Sequence, residues 1–247
     1  MKRLAQSVVF YTSYLLFSLV YIPVALLLGT PVALCMTHRA ALRMTRRLIR
    51  AYGAITIRLA RPWIRVRVEN RSGIAPGQGC LFISNHQSIG DPYLISAFPN
   101  EIIFISNHWP FRIPVLGAFA RLAGFLNAQS LSPEALYDKA ARLLADGVAL
   151  FCFPEGTRTR TGALGPFHTT IFRLALQTRV PIIPICIAGV YRVIPHGNAL
   201  LRPGTVHVHA LPALHPRDFE RLTPHQLKQE VRNLIAAELA VLEGSNS

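Results

Sequence analysis

The amino-acid sequence predicts an α/β domain with a mostly parallel central sheet flanked by helices, together with an N-terminal membrane-embedded helical segment. Short apolar runs alternate with helical patterns along most of the chain, and several runs are apolar at every position, as strands covered on both faces are. The run from Leu4 to Thr37 contains no charged residue. It exceeds the roughly 20 residues that cross a hydrocarbon core, so it predicts the membrane segment.

The apolar segment has two interpretations, because Pro23, Gly29 and Pro31 interrupt it. It forms either one tilted transmembrane helix or two shorter helices that make a hairpin in one leaflet. A cleavable signal peptide is disfavoured, since its apolar region would be shorter and followed by a small-residue cleavage site. We divide the chain into a membrane anchor with a basic juxtamembrane helix, residues 1–60, and a catalytic domain, residues 61–247.

The juxtamembrane helix carries a cluster of basic residues just after the apolar run. Such a cluster marks the cytoplasmic side, and anionic lipid headgroups attract it by about 1 kcal/mol per basic residue near the surface. A solvated helix face is the alternative interpretation. The residues are Arg39, Arg43, Arg46, Arg47 and Arg50.

The composition limits the class of protein. Apolar residues make up 51% of the 247 residues and charged residues 15%, which argues against disorder and fits a full core with a membrane association. The formal net charge of +14 suits an anionic partner, either nucleic acid or an acidic bilayer. The four cysteines show neither metal-ligand spacing nor disulfide-framework density, so we expect reduced, buried thiols in a cytoplasmic compartment.

The first part of the domain is predicted to alternate strand and helix. Residues 63–68 carry apolar side chains with a two-residue period, which is typical of a half-buried strand. After them come a turn at 73–79, a strand at 81–84, a helix at 92–98, a buried strand at 102–105 and a helix at 113–123.

The second part begins with a well-marked helix start. Ser132 can cap the helix, Pro133 fits its first turn and Glu134 places an acid there. Residues 206–210 alternate in polarity, so we expect that strand at the sheet edge. The predicted elements, in order, are the helix 132–146, the strand 148–153, the helix 168–178, the strands 182–188 and 206–210, and a C-terminal helix 223–242.

One stretch joins the strand 81–84 to the start of a helix, and it contains a candidate general base. His86 lies on this turn, and Asp91 follows five residues later, before Pro92. In a straight helix, side chains five residues apart would point about 140° away from each other, so the two meet only because the chain bends between them. A histidine oriented by a carboxylate is suited to general-base catalysis, and a structural histidine is the alternative.

A second polar stretch follows the strand 148–153. Open α/β sheets bind ligands at the carboxyl ends of their strands, which is where Glu155, Thr157 and Arg158 arrive. Gly156 lets the backbone approach a ligand closely. An arginine beside a hydroxyl and exposed amides can bind a phosphate or carboxylate, whereas the alternative is a polar surface turn.

Three blocks, in this order, resemble the glycerolipid acyltransferases typified by bacterial 1-acylglycerol-3-phosphate acyltransferase. The resemblance extends over about residues 60 to 215. The blocks are Asn85-His86-Gln87-Ser88 with Asp91, then Phe153-Pro154-Glu155-Gly156-Thr157-Arg158, then Val180-Pro181-Ile182-Ile183-Pro184-Ile185.

The resemblance implies a membrane-bound O-acyltransferase. The expected reaction transfers an acyl chain from acyl-CoA or acyl carrier protein to the free hydroxyl of a lysolipid, above all 1-acylglycerol-3-phosphate, giving phosphatidic acid for phospholipid biosynthesis. His86 would be the base and Asp91 its orienting carboxylate. Glu155, Gly156, Thr157 and Arg158 would bind the acceptor, with Arg158 on its phosphate.

The same resemblance implies partners and a location. The expected partners are a lysolipid, the acyl thioester as co-substrate and membrane lipid, with no cofactor, no metal and no nucleic acid. The expected location is the inner membrane, with the catalytic domain facing the cytoplasm.

The sequence departs from the family at the acceptor site. Members usually carry a lysine shortly before the Ile113-Pro114 pair and an arginine after the Gly124-Phe125 pair, but residues 107–110 and 124–130 here contain neither. After Arg158, the common basic residues are replaced by His168-Thr169-Thr170. Each lost charge-assisted hydrogen bond to a phosphate is worth about 1.5–3 kcal/mol. A non-phosphate acceptor such as a lyso-amino-acid lipid is therefore an open alternative.

Two further hypotheses arise from the remaining polar residues. The basic charge would also suit a non-catalytic membrane-binding or nucleic-acid-binding protein, but the sequence has no nucleic-acid motif.

His207 and His209 share a strand face without a third ligand type beside them, so we predict a polar strand face rather than a metal site. The other histidines considered for metal or catalytic roles are His108, His196, His215 and His225.

Overall fold

The central sheet of the protein has seven strands in the order β1-β7-β6-β2-β5-β3-β4 among the residues that the structure describes. The structure is a computed structural model, which describes residues 1–195, 197–198 and 200–244. Every pair of neighbouring strands is parallel except β6 and β7, which confirms the predicted mostly parallel α/β fold. The strands are β1 Ile64–Asn70, β2 Leu81–Ser84, β3 Ile102–Ser106, β4 Leu126–Asn127, β5 Ala149–Cys152, β6 Ile182–Ala188 and β7 Gly204–Ala210.

Helices connect these strands, and most of their predicted positions are close to the observed ones. The predicted helix 113–123 is observed as Pro114–Leu122, and an unpredicted short helix, Trp109–Arg112, precedes it, separated by the extended backbone of Ile113. The helices are α1 Lys2–Leu34, α2 His38–Ala60, α3 Asp91–Leu94, α4 Trp109–Arg112, α5 Pro114–Leu122, α6 Pro133–Ala145, α7 Thr170–Thr178, α8 Val190–Val193, α9 Pro216–Phe219 and α10 Pro224–Gly244.

The predicted edge position of strand β7 is wrong. β7 lies between β1, to which it is parallel, and β6, to which it is antiparallel. Val206, Val208 and Ala210 are buried, while His207 and His209 face the other, less covered side. Alternating polarity indicates that one face of a strand is incompletely covered by other parts of the protein. It does not indicate how many neighbouring strands pair with that strand.

Helix α1 is one continuous helix of 33 residues, with Pro23 and Pro31 inside it, so the apolar run does not fold into two short helices. It is the one helix among the described residues that is long and apolar enough to cross a membrane. Its inner face packs on the domain: Phe10 is buried there, and the Ser7 hydroxyl accepts a hydrogen bond of 2.8 Å from the Leu201 amide. The outer face is a row of exposed apolar side chains.

Helix α2 turns back along α1, and four of the five clustered arginines contact acceptors on the domain. Arg46 is buried, donates to the Ala123 carbonyl at 2.8 Å and pairs with Glu101. Arg43 also pairs with Glu101, Arg39 pairs with Asp146, and Arg50 donates to the Ser96 and Pro99 carbonyls. Within the described ranges, only Arg47 of the five has no such partner. Only Arg46 is buried, so it is not available to lipid headgroups, whereas Arg39, Arg43, Arg47 and Arg50 are exposed and the lipid-facing interpretation stays a prediction for them.

The cysteines are all free, as expected, but one of them is not buried. Cys35 is exposed at the turn between α1 and α2, while Cys80, Cys152 and Cys186 lie in the core. Burial raises the pKa of the Cys80 thiol to about 12, so it stays protonated at physiological pH.

Candidate active site

The bend between β2 and α3 brings His86 and Asp91 together. Their side chains meet at 2.8 Å between His86 Nδ1 and Asp91 Oδ2. Asp91 is fully buried, and the same oxygen accepts hydrogen bonds from the Gln87 and Ser88 amides at 2.6 and 2.8 Å. One carboxylate oxygen therefore orients the imidazole and also holds the turn that carries it.

Asp91 holds the turn before the helix and does not cap the helix itself. Asp91 is the first residue of α3, and the amides that it accepts precede the helix in the chain. Its second oxygen, Oδ1, is buried without a hydrogen-bond partner among the described residues. The carboxylate is thus committed to the turn and to the histidine rather than to the helix.

The His86 ring is held on its face as well as at Nδ1. It stacks on Phe153 with ring centroids 3.9 Å apart and planes 12° from parallel. With Nδ1 occupied by Asp91, the nitrogen left to face a substrate is Nε2, and the side chain keeps 16% of its surface exposed. An imidazole fixed in this way can accept a proton at Nε2.

Glu155 holds the backbone around His86. It is 7% exposed, and its two oxygens accept the amides of His86 at 2.7 Å and Gly165 at 2.8 Å. Burial raises the pKa of the Glu155 carboxyl, and the two amide hydrogen bonds oppose this shift. The loop is fastened a second time where the Thr159 amide donates to the His86 carbonyl at 2.9 Å. With both oxygens engaged by the backbone, Glu155 has the geometry of a positioning residue rather than of a substrate ligand.

The rest of the predicted acceptor loop lies beside His86. Gly156 has a φ of +68°, a backbone conformation that favours glycine, and Thr157 is exposed. Arg158 lines a cavity of about 320 Å³ together with Gln87 and Ser88. Its guanidinium has no carboxylate partner among the described residues. The structure therefore brings three of the four loop residues to the surface near the base and turns the fourth, Glu155, inwards.

Polar side chains, none of them a lysine or arginine, lie beside Gly156 at the ends of β3 and β4. Asn107 donates to the Gly156 carbonyl at 3.2 Å. His108 Nδ1 contacts the Asn127 amide nitrogen at 2.9 Å, and Gln129 accepts the His108 backbone amide. These residues stand where the sequence lacks the expected lysine and arginine, and they form hydrogen bonds with one another and with the backbone.

The remaining histidines do not form a metal site with other ligand residues in the part of the chain that the structure describes. His209 bonds Glu238 at 2.6 Å, and Glu238 also pairs with Arg71, so this strand face carries an ion-pair network. His196 lies outside the described residues.

Two contacts of the site could not be anticipated from the sequence. Phe153 belongs to the recognised block, but its stacking on His86 depends on the sheet order that puts β5 beside β2. Tyr11 of α1 lines the same cavity as Arg158, and no motif in the apolar run marks it.

Known proteins share both the sequence pattern and the fold of this chain. A family model described as Acyltransferase matches residues 65–188, which include both the His86 turn and the Glu155 loop. The chain belongs to this acyltransferase family.

Curated relatives match shorter stretches. The chain is 35% identical to the 1-acyl-sn-glycerol-3-phosphate acyltransferase BAT2 of Brassica napus over 133 residues, 52% of this chain and 39% of that protein. It is 30% identical to LPAT1 of Arabidopsis thaliana, an enzyme of the same name, over 60% of this chain and 43% of that protein. The chain thus spans less than half the length of these relatives.

A solved structure shares the whole fold. The crystal structure of the 1-acyl-sn-glycerophosphate (LPA) acyltransferase PlsC from Thermotoga maritima has a TM-score of 0.79 and 24% identity. The likeness covers 98% of this chain and 96% of that one. It therefore extends to the α1 and α2 region as well as to the sheet.

Replacing Glu155 with glutamine should weaken the site without removing any catalytic group. One of the two amides of His86 and Gly165 would then face an NH₂ group instead of an oxygen. A buried donor left unpaired costs about 1–3 kcal/mol, so we expect the free energy of unfolding to fall by that amount and acyl transfer to fall with it. Chemical denaturation in detergent measures the first, and an acyl-transfer assay the second. Glu134→Gln, at an exposed helix start, is the matched control; an unaffected Glu155→Gln variant would contradict the positioning role.

Proposed function

We propose that this protein is a membrane-bound O-acyltransferase that transfers an acyl chain from acyl-CoA or acyl carrier protein to the hydroxyl of a lysolipid. The observation that carries the proposal is the His86–Asp91 pair at the carboxyl edge of the mostly parallel sheet. His86 Nε2 has no hydrogen-bond partner among the described residues, and the cavity lined by Arg158 lies beside it. The names of the matched relatives support 1-acylglycerol-3-phosphate as the acceptor and phosphatidic acid as the product, made in phospholipid biosynthesis.

The chemistry follows from the geometry of the pair. His86 Nε2 takes the proton of the acceptor hydroxyl as its oxygen attacks the thioester carbonyl. The resulting imidazolium is stabilised by Asp91. When the tetrahedral intermediate collapses, the carbon–sulfur bond breaks, and the departing sulfur receives the proton from the imidazolium. The ester is formed by direct attack, so no acyl-enzyme is needed.

The membrane role rests on α1. Its outer face exposes Leu15, Leu16, Leu19, Val20 and Leu27, while Ser7 and Phe10 fasten its N-terminal half to the domain. We propose that the outer face contacts the lipid and holds the site at the bilayer surface, where a lysolipid is available. The proposed location is the inner membrane, with the domain on its cytoplasmic side.

A second acceptor class is favoured by one specific observation. The group of Asn107, His108, Asn127 and Gln129 supplies no lysine or arginine at the ends of β3 and β4. A non-phosphate acceptor such as a lyso-amino-acid lipid would lose no phosphate hydrogen bonds there. A non-catalytic membrane-binding protein is the remaining alternative, and the pairing of His86 with Asp91 gives it no support.

An acceptor panel separates these proposals. Purified protein in detergent receives one labelled acyl-CoA or acyl-ACP and, in separate reactions, lysophosphatidic acid, a lyso-amino-acid lipid and uncharged 1-acylglycerol. We expect the highest kcat/KM with lysophosphatidic acid. A higher kcat/KM with the amino-acid lipid would support the second acceptor class instead. Absence of acyl transfer to all three acceptors would refute the enzymatic function.

A further inference from the structure

The two short helices α4 and α5 expose large apolar side chains at the surface of the domain. Trp109 begins α4 and Leu122 ends α5, and each is 52% exposed. Ile113 and Leu116, which lie between them in the chain, are exposed as well. Scattered apolar residues are normal on a protein surface, but four large ones on one pair of helices indicate a contact with an apolar partner.

The pair of helices is packed closely, so these side chains cannot turn inwards by a small adjustment. A Cβ atom on Gly117 would lie 2.3 Å from the Phe111 carbonyl oxygen, so only glycine lets α5 approach α4 at this point. Arg121 donates to the same carbonyl at 3.1 Å. Ala120 of α5 and Ala123 directly after it are buried. Small residues therefore occupy buried positions of α5, and large apolar residues occupy exposed ones.

The charge around the helix pair fits an anionic surface. The chain carries no acidic residue between Glu101 and Glu134, and both arginines of the pair, Arg112 and Arg121, are exposed. Exposed apolar side chains accompanied by arginines are typical of helices that lie in the interface of an anionic bilayer. A tryptophan is also favoured there, because its ring is apolar and its N–H group can stay near water.

Helix α2 joins this pair to the helix with the proposed membrane contact. The second half of α1 packs on the first half of α2, where the Tyr21 hydroxyl donates to the Leu48 carbonyl at 2.8 Å. The same half of α2 contacts the end of α5, where Arg46 donates to the Ala123 carbonyl at 2.8 Å. The α4–α5 pair and the second half of α1 therefore adjoin the same half of α2.

Both of these surfaces also adjoin the active site. Asn107, two residues before α4, donates to the Gly156 carbonyl at 3.2 Å in the loop beside His86. Tyr11 of α1 lines the cavity that Arg158 also lines. A lipid surface that contacts α1 and the α4–α5 pair would therefore lie close to the loops that surround the base.

We infer that the α4–α5 pair is a second membrane contact, in which Trp109, Ile113, Leu116 and Leu122 enter the interface of an anionic bilayer. This inference rests on the proposed function, in which α1 contacts the lipid. A single helix leaves the domain free to rotate about its axis, whereas a second contact fixes which side of the domain faces the bilayer. The lysolipid can then reach His86 while its acyl chain is still in the lipid.

The two tryptophans of the chain allow a direct test on the full-length protein. Trp63→Phe leaves Trp109 as the sole tryptophan and keeps an aromatic ring beside Phe10. The variant is reconstituted into vesicles of phosphatidylcholine and phosphatidylglycerol, with or without bromine on the upper acyl carbons, because bromine quenches tryptophan only at contact distance. At interfacial depth, brominated lipid should lower the Trp109 emission about twofold or more. Equal emission in the two kinds of vesicle would overturn the inference.

Two probes with a single tryptophan elsewhere calibrate the measurement. Trp63→Phe/Trp109→Phe/Val20→Trp reports on the outer face of α1, where Val20 is 65% exposed. Trp63→Phe/Trp109→Phe/His225→Trp reports on an exposed position of α10, a helix that packs on the face of the sheet opposite to Phe10 of α1. The α1 probe should be quenched and the α10 probe should not. An α10 probe quenched as strongly as Trp109 would overturn the inference, because quenching would then not depend on the surface.

A charge placed on the helix pair tests whether its apolar side chains make the contact. Leu116→Glu, in the Trp63→Phe background, puts a negative charge against anionic lipid and should remove about half or more of the quenching of Trp109. Val241→Glu in the same background is the matched control, because it charges an exposed apolar position of α10; it should leave the quenching unchanged. Circular dichroism verifies that both variants are folded. Full quenching in folded Leu116→Glu would overturn the inference.

The outcomes separate this inference from the proposed function. If the α1 probe is quenched and Trp109 is not, the second contact is overturned while the proposed function stands. If Trp109 is then also shielded from acrylamide in the water, another protein or a second copy of the chain covers the helix pair instead of lipid. If Trp109 is quenched but the protein transfers no acyl group, the proposed function is refuted and the second contact stands.

Discussion

Replacing His86 with alanine is expected to lower the rate of acyl transfer by about 10²–10⁴-fold, the usual contribution of a positioned general base. The bond from Nδ1 to Asp91 leaves His86 Nε2 to accept the proton of the acceptor hydroxyl. Among the described residues, no other histidine, lysine or arginine side chain is hydrogen-bonded to Asp91. The rate is measured with purified variant and wild type at saturating thioester and lysolipid.

The control for this variant removes a histidine from another position, so it shows whether the loss of rate is specific to His86. His225→Ala changes an exposed residue on α10, far along the chain from the turn, and should keep the wild-type rate. Circular dichroism and the thermal midpoint verify that His86→Ala is folded. A folded His86→Ala variant that retains more than a tenth of the wild-type rate would contradict the assignment of the base.

Replacing Asp91 with asparagine should leave the turn intact and still slow the reaction. One oxygen, Oδ2, accepts all three hydrogen bonds from His86, Gln87 and Ser88, and Oδ1 accepts none in the described structure. The amide oxygen of asparagine can take the place of Oδ2, with its NH₂ group in the place of Oδ1. The substitution therefore removes the negative charge while the hydrogen-bond geometry is kept.

The size of the effect follows from the lost charge. A unit charge about 4 Å from the imidazolium is worth about 4 kcal/mol at an effective dielectric constant of 20, which corresponds to about a 10³-fold slower reaction. We expect kcat to fall on this scale, with KM for the lysolipid close to wild type. The NH₂ group buried without a partner in the place of Oδ1 should also lower the free energy of unfolding by about 1–3 kcal/mol. Asp91→Ala, which loses the turn contacts as well, should be destabilised further. Equal kcat values for Asp91→Asn and wild type would show that the charge has no role.

The sequence was sufficient for the parts of the site that local structure determines. His86 and Asp91 lie within one strand-to-helix turn, and the Glu155 loop directly follows a strand, so the chain itself places them at the same edge of the sheet. The meeting of His86 with Asp91 needed only the bend between them. The direction of Glu155 needed more, since its partners His86 and Gly165 belong to different segments.

The features that sequence reasoning missed depend on which surfaces come together. Strand β7 was predicted at the sheet edge because its polarity alternates, but alternating polarity indicates only that one face of a strand is less covered. The ion pairs of Arg39 and Arg46 on α2 were not predicted, because nothing in the sequence shows that Glu101 and Asp146 lie beside that helix. Strand β4 has two residues, too short for a periodic signal. Tyr11 entered the site through the packing of α1, which a uniformly apolar run cannot reveal.

The most direct test of the account is to identify the product that the purified protein makes from one acyl thioester and lysophosphatidic acid. Mass spectrometry of the reaction should show phosphatidic acid carrying the donor acyl chain and one free thiol per ester formed. The protein incubated with thioester alone should carry no acyl group, since the hydroxyl attacks directly. Formation of an acylated protein, or release of thiol without any acylated lipid, would contradict the account.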